Sequence, residues 1–159
     1  STYPGAACPR IATWCVLRDA RNDGTRLLVL NTHWDHVSAE ARQHSAELIR
    51  TRLPELADEV PTIVMGDLNV GESQLPIQKL LGSGEERLTD SYRAVHRQPT
   101  ERERTFHGFN GGDQGVRIDY VLHNSGLRPL SAEIDRTAYD GVFPSDHYPV
   151  TATLEFVSE

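Results

Sequence analysis

Long apolar runs are missing from this chain. No stretch approaches the roughly 18 residues that cross a bilayer, so no membrane span is expected. No signal-peptide pattern opens the sequence, and with Ser1 in place of an initiating Met the expectation is a start that is processed, trimmed or artificially cut. The expectation is a soluble chain, with the compartment open between cytoplasmic and secreted. Cysteine is scarce: Cys8 and Cys15 are too few and too irregular for a disulfide scaffold or a zinc site, which leaves at most one bridge. Lysine is nearly absent, Lys79 standing alone against fifteen arginines, and the net charge is −7. Such an acidic balance argues against non-specific binding of nucleic acid, which is driven by cationic neutralisation of phosphates. Metal ions would have to supply positive charge locally. What the chain does have is 159 residues at 38% hydrophobic, enough for one core and a single domain over 1–159, with 1–9 a loose lead-in.

Taken in order, Ile11 to Leu17 alternates like a strand, and Asn22-Asp23-Gly24 supplies hairpin turn chemistry before a returning strand at Leu27 to Thr32. That second strand is apolar enough to be buried on both faces. Ser38 is a fitting N-cap for an amphipathic helix over Ser38 to Arg52, with Ala41, Ser45, Leu48, Ile49 and Leu53 at helical spacing and Pro54 marking its end. Gly71 to Leu81 reads as a short helix stopped by Gly82. Gln98 to Arg104 reads as a solvated loop, and Phe106 to Gly115, with four glycines, as a flexible one. Arg117 to Leu122 and Tyr148 to Val157 are the remaining strand candidates. Strands interrupted by helices place the chain in the α/β class.

The chemistry gathers around Pro61 to Asn69, PTIVMGDLN. Thr62 to Met65 is a short apolar run without helical period, stopped by Gly66, and Asp67 and Asn69 follow at i and i+2. If strand geometry persists, that spacing puts both side chains on one side, where a carboxylate and a carboxamide suit a hard cation or a phosphate with its attacking water. A plain turn is the alternative, since Asp and Asn both hydrogen-bond their own backbone. His33 and Asp67 stand just past the C-terminal ends of their strands, whereas Asp119 and His147 stand at the N-terminal ends of theirs. All four share one rim if the last two strands run antiparallel to the first two. Taken singly, His33 is an ordinary surface histidine and Asp119 a partner for Arg117 or a strand-end cap. Four such groups meeting at one rim argue for a site.

The order NTHWDH, GDLN, RIDYVL and SDHYP resembles the endonuclease/exonuclease/phosphatase superfamily of DNase I-like enzymes, especially its small bacterial hydrolase branch, to which TFHGF at Thr105 to Phe109 is also similar. The resemblance implies part of a two-sheet α/β sandwich with helices outside, acting on phosphate esters with Mg²⁺ or Mn²⁺. It also implies roles: His147 as general base or acid, Asp67 orienting water, Asn69 steadying negative charge, and Asp119 orienting a catalytic imidazole, either His33 or His147. Asp146 and Asp67 would belong to the metal site, and His33, Asn69 and His107 would contact substrate. Members of the family carry further strands upstream, with an Asn and a Glu that is the main metal ligand; neither Asp19 nor Asp23 matches that Glu. The match is therefore to the C-terminal part of the domain, and exposed edge strands and an uncovered core face are expected. Either a missing N-terminal fragment completes the fold, or the chain is a catalytically incomplete piece or a binding module.

Overall fold

A computed structural model describes residues 2–20, 24–84 and 87–157. The first two strands, β1 (Ala12–Asp19) and β2 (Thr25–Thr32), form an antiparallel pair in the register Ala12↔Thr32. Asn22 and Asp23 of the expected hairpin turn lie outside the described residues. Helix α1 (Ala39–Ala57) crosses to β3 (Thr62–Asp67), which runs parallel to β2. Then come α2 (Leu75–Leu81), the two-residue β4 (Thr89–Asp90), α3 (Ser91–Val95), β5 (Asp119–His123), β6 (Leu127–Ile134) and β7 (Val150–Phe156). Five strands make one sheet in the order β1-β2-β3-β5-β4, and β6 with β7 makes a second. Because β5 is antiparallel to β3 with Asp67 opposite Asp119, the end of one strand meets the start of the other.

The period-2 pattern of the strands decides where the core lies. Leu28, Leu30, Val64 and Leu122 point to the face covered by α1 and α2 and pack with Ala46, Ile49, Leu53, Ile77 and Leu80. Each fully buried aliphatic side chain contributes about 1.5–3 kcal/mol, so this layer carries most of the hydrophobic stabilisation. Leu27 and Val29 on the other face of β2 are only half-buried, so the strand is not buried on both faces as its composition suggested. The second sheet is two strands wide and packs with α3 around Tyr92, Ala132, Ile134 and Tyr148. Edge strand β1 carries the expected exposure: Trp14 is 53% and Leu17 49% accessible. No helix among the described residues is long and apolar enough to cross a membrane.

Several local expectations are corrected. Helix α1 runs through Pro54 and ends at Ala57: the proline gives up its bond to the carbonyl four residues back, but its own carbonyl still accepts from Asp58 N–H at 3.2 Å. Leu48 faces solvent and Ala46 takes the core position. Strand β6 was not legible because Pro129 breaks its pattern; the proline sits beside a bulge between Pro129 and Ser131, where sheets tolerate it. The lead-in is pinned at Ala7 and Cys8, whose N–H groups donate to the Asp35 carboxylate at 2.8 and 3.4 Å. Glu103, inside the supposed solvated loop, is buried and pairs with Arg93. The glycine-rich loop is not free either, since His107 in it is 3% exposed.

Candidate active site

Alternation at the end of β2 aims His33 outward: Thr32 and Trp34 on either side are buried, with Thr32 Oγ1 donating to Ile11 O at 3.0 Å and Trp34 N–H to Asp67 O at 2.9 Å. His33 Nε2 thereby reaches Asp67 Oδ2 at 3.2 Å. Gly66, immediately before Asp67, sits at φ 139° against the Thr32 carbonyl, an approach only glycine allows. Past Asp67 the strand geometry stops. Asn69 adopts φ 50°, its N–H donates to Asp67 Oδ1 at 2.8 Å, and its amide nitrogen donates to Trp34 O at 3.0 Å. The i, i+2 pair is thus joined by a turn instead of by a shared strand face, and the turn serves to fix the carboxylate.

His147 arrives from the segment leading into β7. Its N–H donates to Ser145 Oγ at 3.1 Å, and its Nδ1 donates to Asp119 Oδ2 at 2.9 Å. A carboxylate can only accept, so that bond puts a proton on Nδ1 and turns Nε2 toward Asp67 Oδ2, 3.8 Å away. His33, Asp67, Asn69, Asp119 and His147 therefore stand together at one rim. Ligand atoms of Asp67, Asp119 and His147 all lie within 4.8 Å of one another, close enough to hold a cation.

The charges in this group are unequal. Burial raises the Asp67 carboxyl above its ordinary range, the Asn69 N–H opposes that rise, and the Asp119 charge adds to it. Burial lowers His33, with Arg10 and His147 adding to the drop. Both shifts disfavour the ion pair that the His33–Asp67 contact would otherwise suggest. His147 is also opposed by burial, but the Asp119 hydrogen bond and charge, helped by Asp67 and Asp146, outweigh it and raise its pKa.

Two expected residues lie outside this group. The Asp146 carboxylate is not among the clustered ligand atoms; its backbone carbonyl accepts from His107 and Gly108, and its charge reaches His147 through space. His107 is buried and stacked on Tyr148 at 4.0 Å, which takes it off the exposed rim. Sequence reasoning missed Phe106, whose ring lies 5.1 Å from that of His147; its place in TFHGF was the available signal. Arg117, weighed as a partner for Asp119, instead lies with its guanidinium buried between the Tyr92 and Tyr120 rings, paired with Asp90 and with Glu72 at 3.2 Å. Asp35 in NTHWDH was also missed: the Ser38 N–H foremost, against the penalty of burial, and the Val37, Ala7 and Cys8 N–H groups hold it down at about 2.

Comparison with known proteins bears on the fold and the family. Among solved structures, a mannosyl-6-phosphatase of Bacteroides thetaiotaomicron matches with TM-score 0.82 at 27% identity, over 95% of this chain and 59% of its own. An endonuclease/exonuclease/phosphatase of Bacteroides vulgatus matches with TM-score 0.82 at 33% identity, over 96% of this chain and 58% of its own. The catalytic domain of human Nocturnin shares the fold, with TM-score 0.75 at 20% identity over 96% of this chain and 56% of its own. The chain thus spans less than two thirds of the length of these structures. No curated protein matches by sequence. The family model of the endonuclease/exonuclease/phosphatase family matches residues 3–147, and the chain belongs to that family.

Proposed function

We propose that this chain carries the proton-transfer half of a phosphate-ester hydrolase. The observation that supports it most is the Asp119–His147 pair at 2.9 Å, facing Asp67 across the rim. Asp119 holds the imidazole in one tautomer, Nε2 takes the proton of an attacking water, and Asp67 orients that water. His33, exposed beside Asp67, contacts the phosphate. Asn69 steadies its charge, although its amide is turned toward Trp34 O and must swing to do so. Asp67 fits a hard divalent ion, Mg²⁺ or Mn²⁺: its carboxylate offers an oxygen donor beside the charge of Asp119, and its raised pKa calls for positive charge. Asp67 would hold the ion, since Asp119 is committed to the imidazole, and Asp146 would add its charge from outside. Bound there, the ion neutralises the phosphate and lowers the cost of ionising a water. The net charge of −7 and the likeness to a mannosyl-6-phosphatase favour a compact phosphate ester over a polynucleotide. A panel of phosphate esters assayed with Mg²⁺ or Mn²⁺ on the full-length gene product tests this. Hydrolysis of small esters that survives in both His147→Ala and Asp67→Ala would sink it.

A second reading rests on a separate observation. Trp14, Val16 and Leu17 lie exposed along edge strand β1, and the chain covers only 59% of the mannosyl-6-phosphatase. On this reading an N-terminal fragment supplies the covering strands and further metal ligands, and these residues alone are catalytically incomplete. Full turnover by residues 1–159 alone would rule it out.

A further inference from the structure

We infer that His107 is a positioning residue for His147, holding the seat of that imidazole from behind, an inference that rests on the proton-transfer role proposed for His147. The loop carrying His107 clasps the residues on both sides of His147. Tyr148 N–H donates to Thr105 O at 2.8 Å, while His107 N–H and Gly108 N–H donate to Asp146 O at 2.8 and 3.1 Å. Phe106 itself forms an antiparallel bridge with His147 and lays its ring 5.1 Å from the imidazole. The loop therefore fixes the backbone at 146 and 148 and walls one side of the ring between them.

The His107 ring is what fixes the loop. It stacks on Tyr148 at 4.0 Å with 23° between planes, meets the edge of Phe143 at 4.7 Å, and its Nδ1 accepts from Gly111 N–H at 3.3 Å, closing the turn. Gly108, Phe109 and Gly111 all have left-handed φ of 58°, 65° and 72°, which for Phe109 is strained. A turn of that shape needs an anchor. His107 Nε2 is buried without a hydrogen-bond partner in the protein, and an unpaired buried polar group is costly. The ring's contacts run to Gly111, Phe143 and Tyr148, the last of them next to His147 in the chain.

Two replacements divide its contacts. His107→Asn retains an acceptor near the position of Nδ1 and loses the stack; His107→Phe retains the stack and loses the acceptor; His107→Ala loses both. In the full-length gene product, with Mg²⁺ or Mn²⁺ and an ester that the wild type hydrolyses, kcat should fall about 10-fold in Asn and Phe and about 10²-fold in Ala, the loss that a misplaced catalytic group brings. KM should stay within about twofold, since a residue that acts only through His147 removes transition-state stabilisation and leaves ground-state binding in place. A raised KM with unchanged kcat would make His107 a substrate contact and overturn the assignment, as would wild-type kcat in Ala. The Phe106–His147 ring nuclear Overhauser effect reads the same seat without turnover. It should weaken in all three variants, and an undiminished effect refutes the clasp. Should the wild type hydrolyse no ester, the hydrolase reading fails while this arm still decides the role of His107; should Ala not fold, Asn and Phe decide it.

Discussion

Asp119 and His147 meet at 2.9 Å although 28 residues separate them, and Asp119 is in turn the register partner of Asp67 at the end of β3. One imidazole thus stands between two carboxylates, bonded to one and facing the other. If His147 is the general base, activity appears as pH rises through its raised pKa, because only the neutral ring can take a proton. Asp119→Asn removes the main cause of the rise, so the acid limb of the kcat/KM profile should move to lower pH while kcat falls about 10²- to 10⁴-fold. The stability sign runs the opposite way. The folded state favours the imidazolium, so this contribution is complete below the ordinary histidine pKa of about 6.5 and is lost as pH rises through the raised value. A limb that does not move in Asp119→Asn would remove Asp119 from this role.

Asp67 should trade stability for function. Its carboxyl is raised chiefly by burial, so the folded state keeps its proton to higher pH than the unfolded chain does, and between the ordinary and the raised pKa stability falls as pH rises. Asp67→Asn removes the buried charge and keeps the shape. In the presence of a chelator at neutral pH it should raise Tm by about 2–4 °C, the equivalent of about 1 kcal/mol in a domain of this size, while abolishing hydrolysis. Adding Mg²⁺ or Mn²⁺ should raise the Tm of the wild type and leave the variant unmoved. Equal metal-induced shifts in both would take Asp67 out of the ion's site.

How far this site was legible follows from the kind of signal each residue left. Asp67 was readable because Thr62 to Met65 is an uninterrupted apolar run that Gly66 stops, and the shared rim followed once β5 was taken as antiparallel to β3. His147 and Asp119 were visible as polar groups at strand ends, yet which imidazole Asp119 serves depends on a distance no spacing encodes. Strand β6 was hidden because Pro129 is disfavoured in a strand until a bulge accommodates it. His107 looked like a loop residue because glycines surround it. What buries it is Tyr148, forty-one positions later in the chain, and local composition carries no record of such a contact.

Arg117 ties the neighbourhood of the site together. Its buried guanidinium pairs with Asp90 and Glu72 and donates to the Asp119 carbonyl at 3.3 Å, with the Tyr120 ring 4.3 Å away. Removing one partner of a buried pair leaves the other charge uncompensated, at about 3–5 kcal/mol. Arg117→Met should therefore lower the unfolding free energy by that amount, read as an earlier denaturation midpoint at unchanged m-value, since the fold itself is kept. A loss below about 1 kcal/mol would mean that water reaches Asp90 and that the pair is not buried in solution.

Gly66 admits no side chain. A Cβ there would stand 1.8 Å from the Thr32 carbonyl oxygen and 2.9 Å from its carbon, both backbone atoms of the neighbouring strand, which cannot yield as a flexible side chain can. Its φ of 139° would be strained for any other residue even in open space. Gly66→Ala must push β2 from β3 at the point where His33 and Asp67 meet, so we expect more than about 4 kcal/mol of destabilisation. Soluble, cooperatively melting Gly66→Ala protein within about 1 kcal/mol of wild type would contradict the close approach.

Edge strand β1 makes the last prediction. Among the described residues its outer backbone edge has no strand beside it in the five-stranded sheet, and Trp14, Val16 and Leu17 are exposed on it. Unpaired N–H and C=O groups beside large apolar side chains are a template for another strand. Residues 1–159 alone should therefore self-associate with rising concentration, and Trp14→Lys with Leu17→Lys should suppress this by placing charge on both faces of the edge. The same two substitutions distinguish what covers β1 in the full-length gene product. If further strands pack there, burying two lysines must lower its Tm; if the edge faces water, Tm stays put and only association changes. Concentration-independent sedimentation of residues 1–159 as a monomer would show that this edge protects itself.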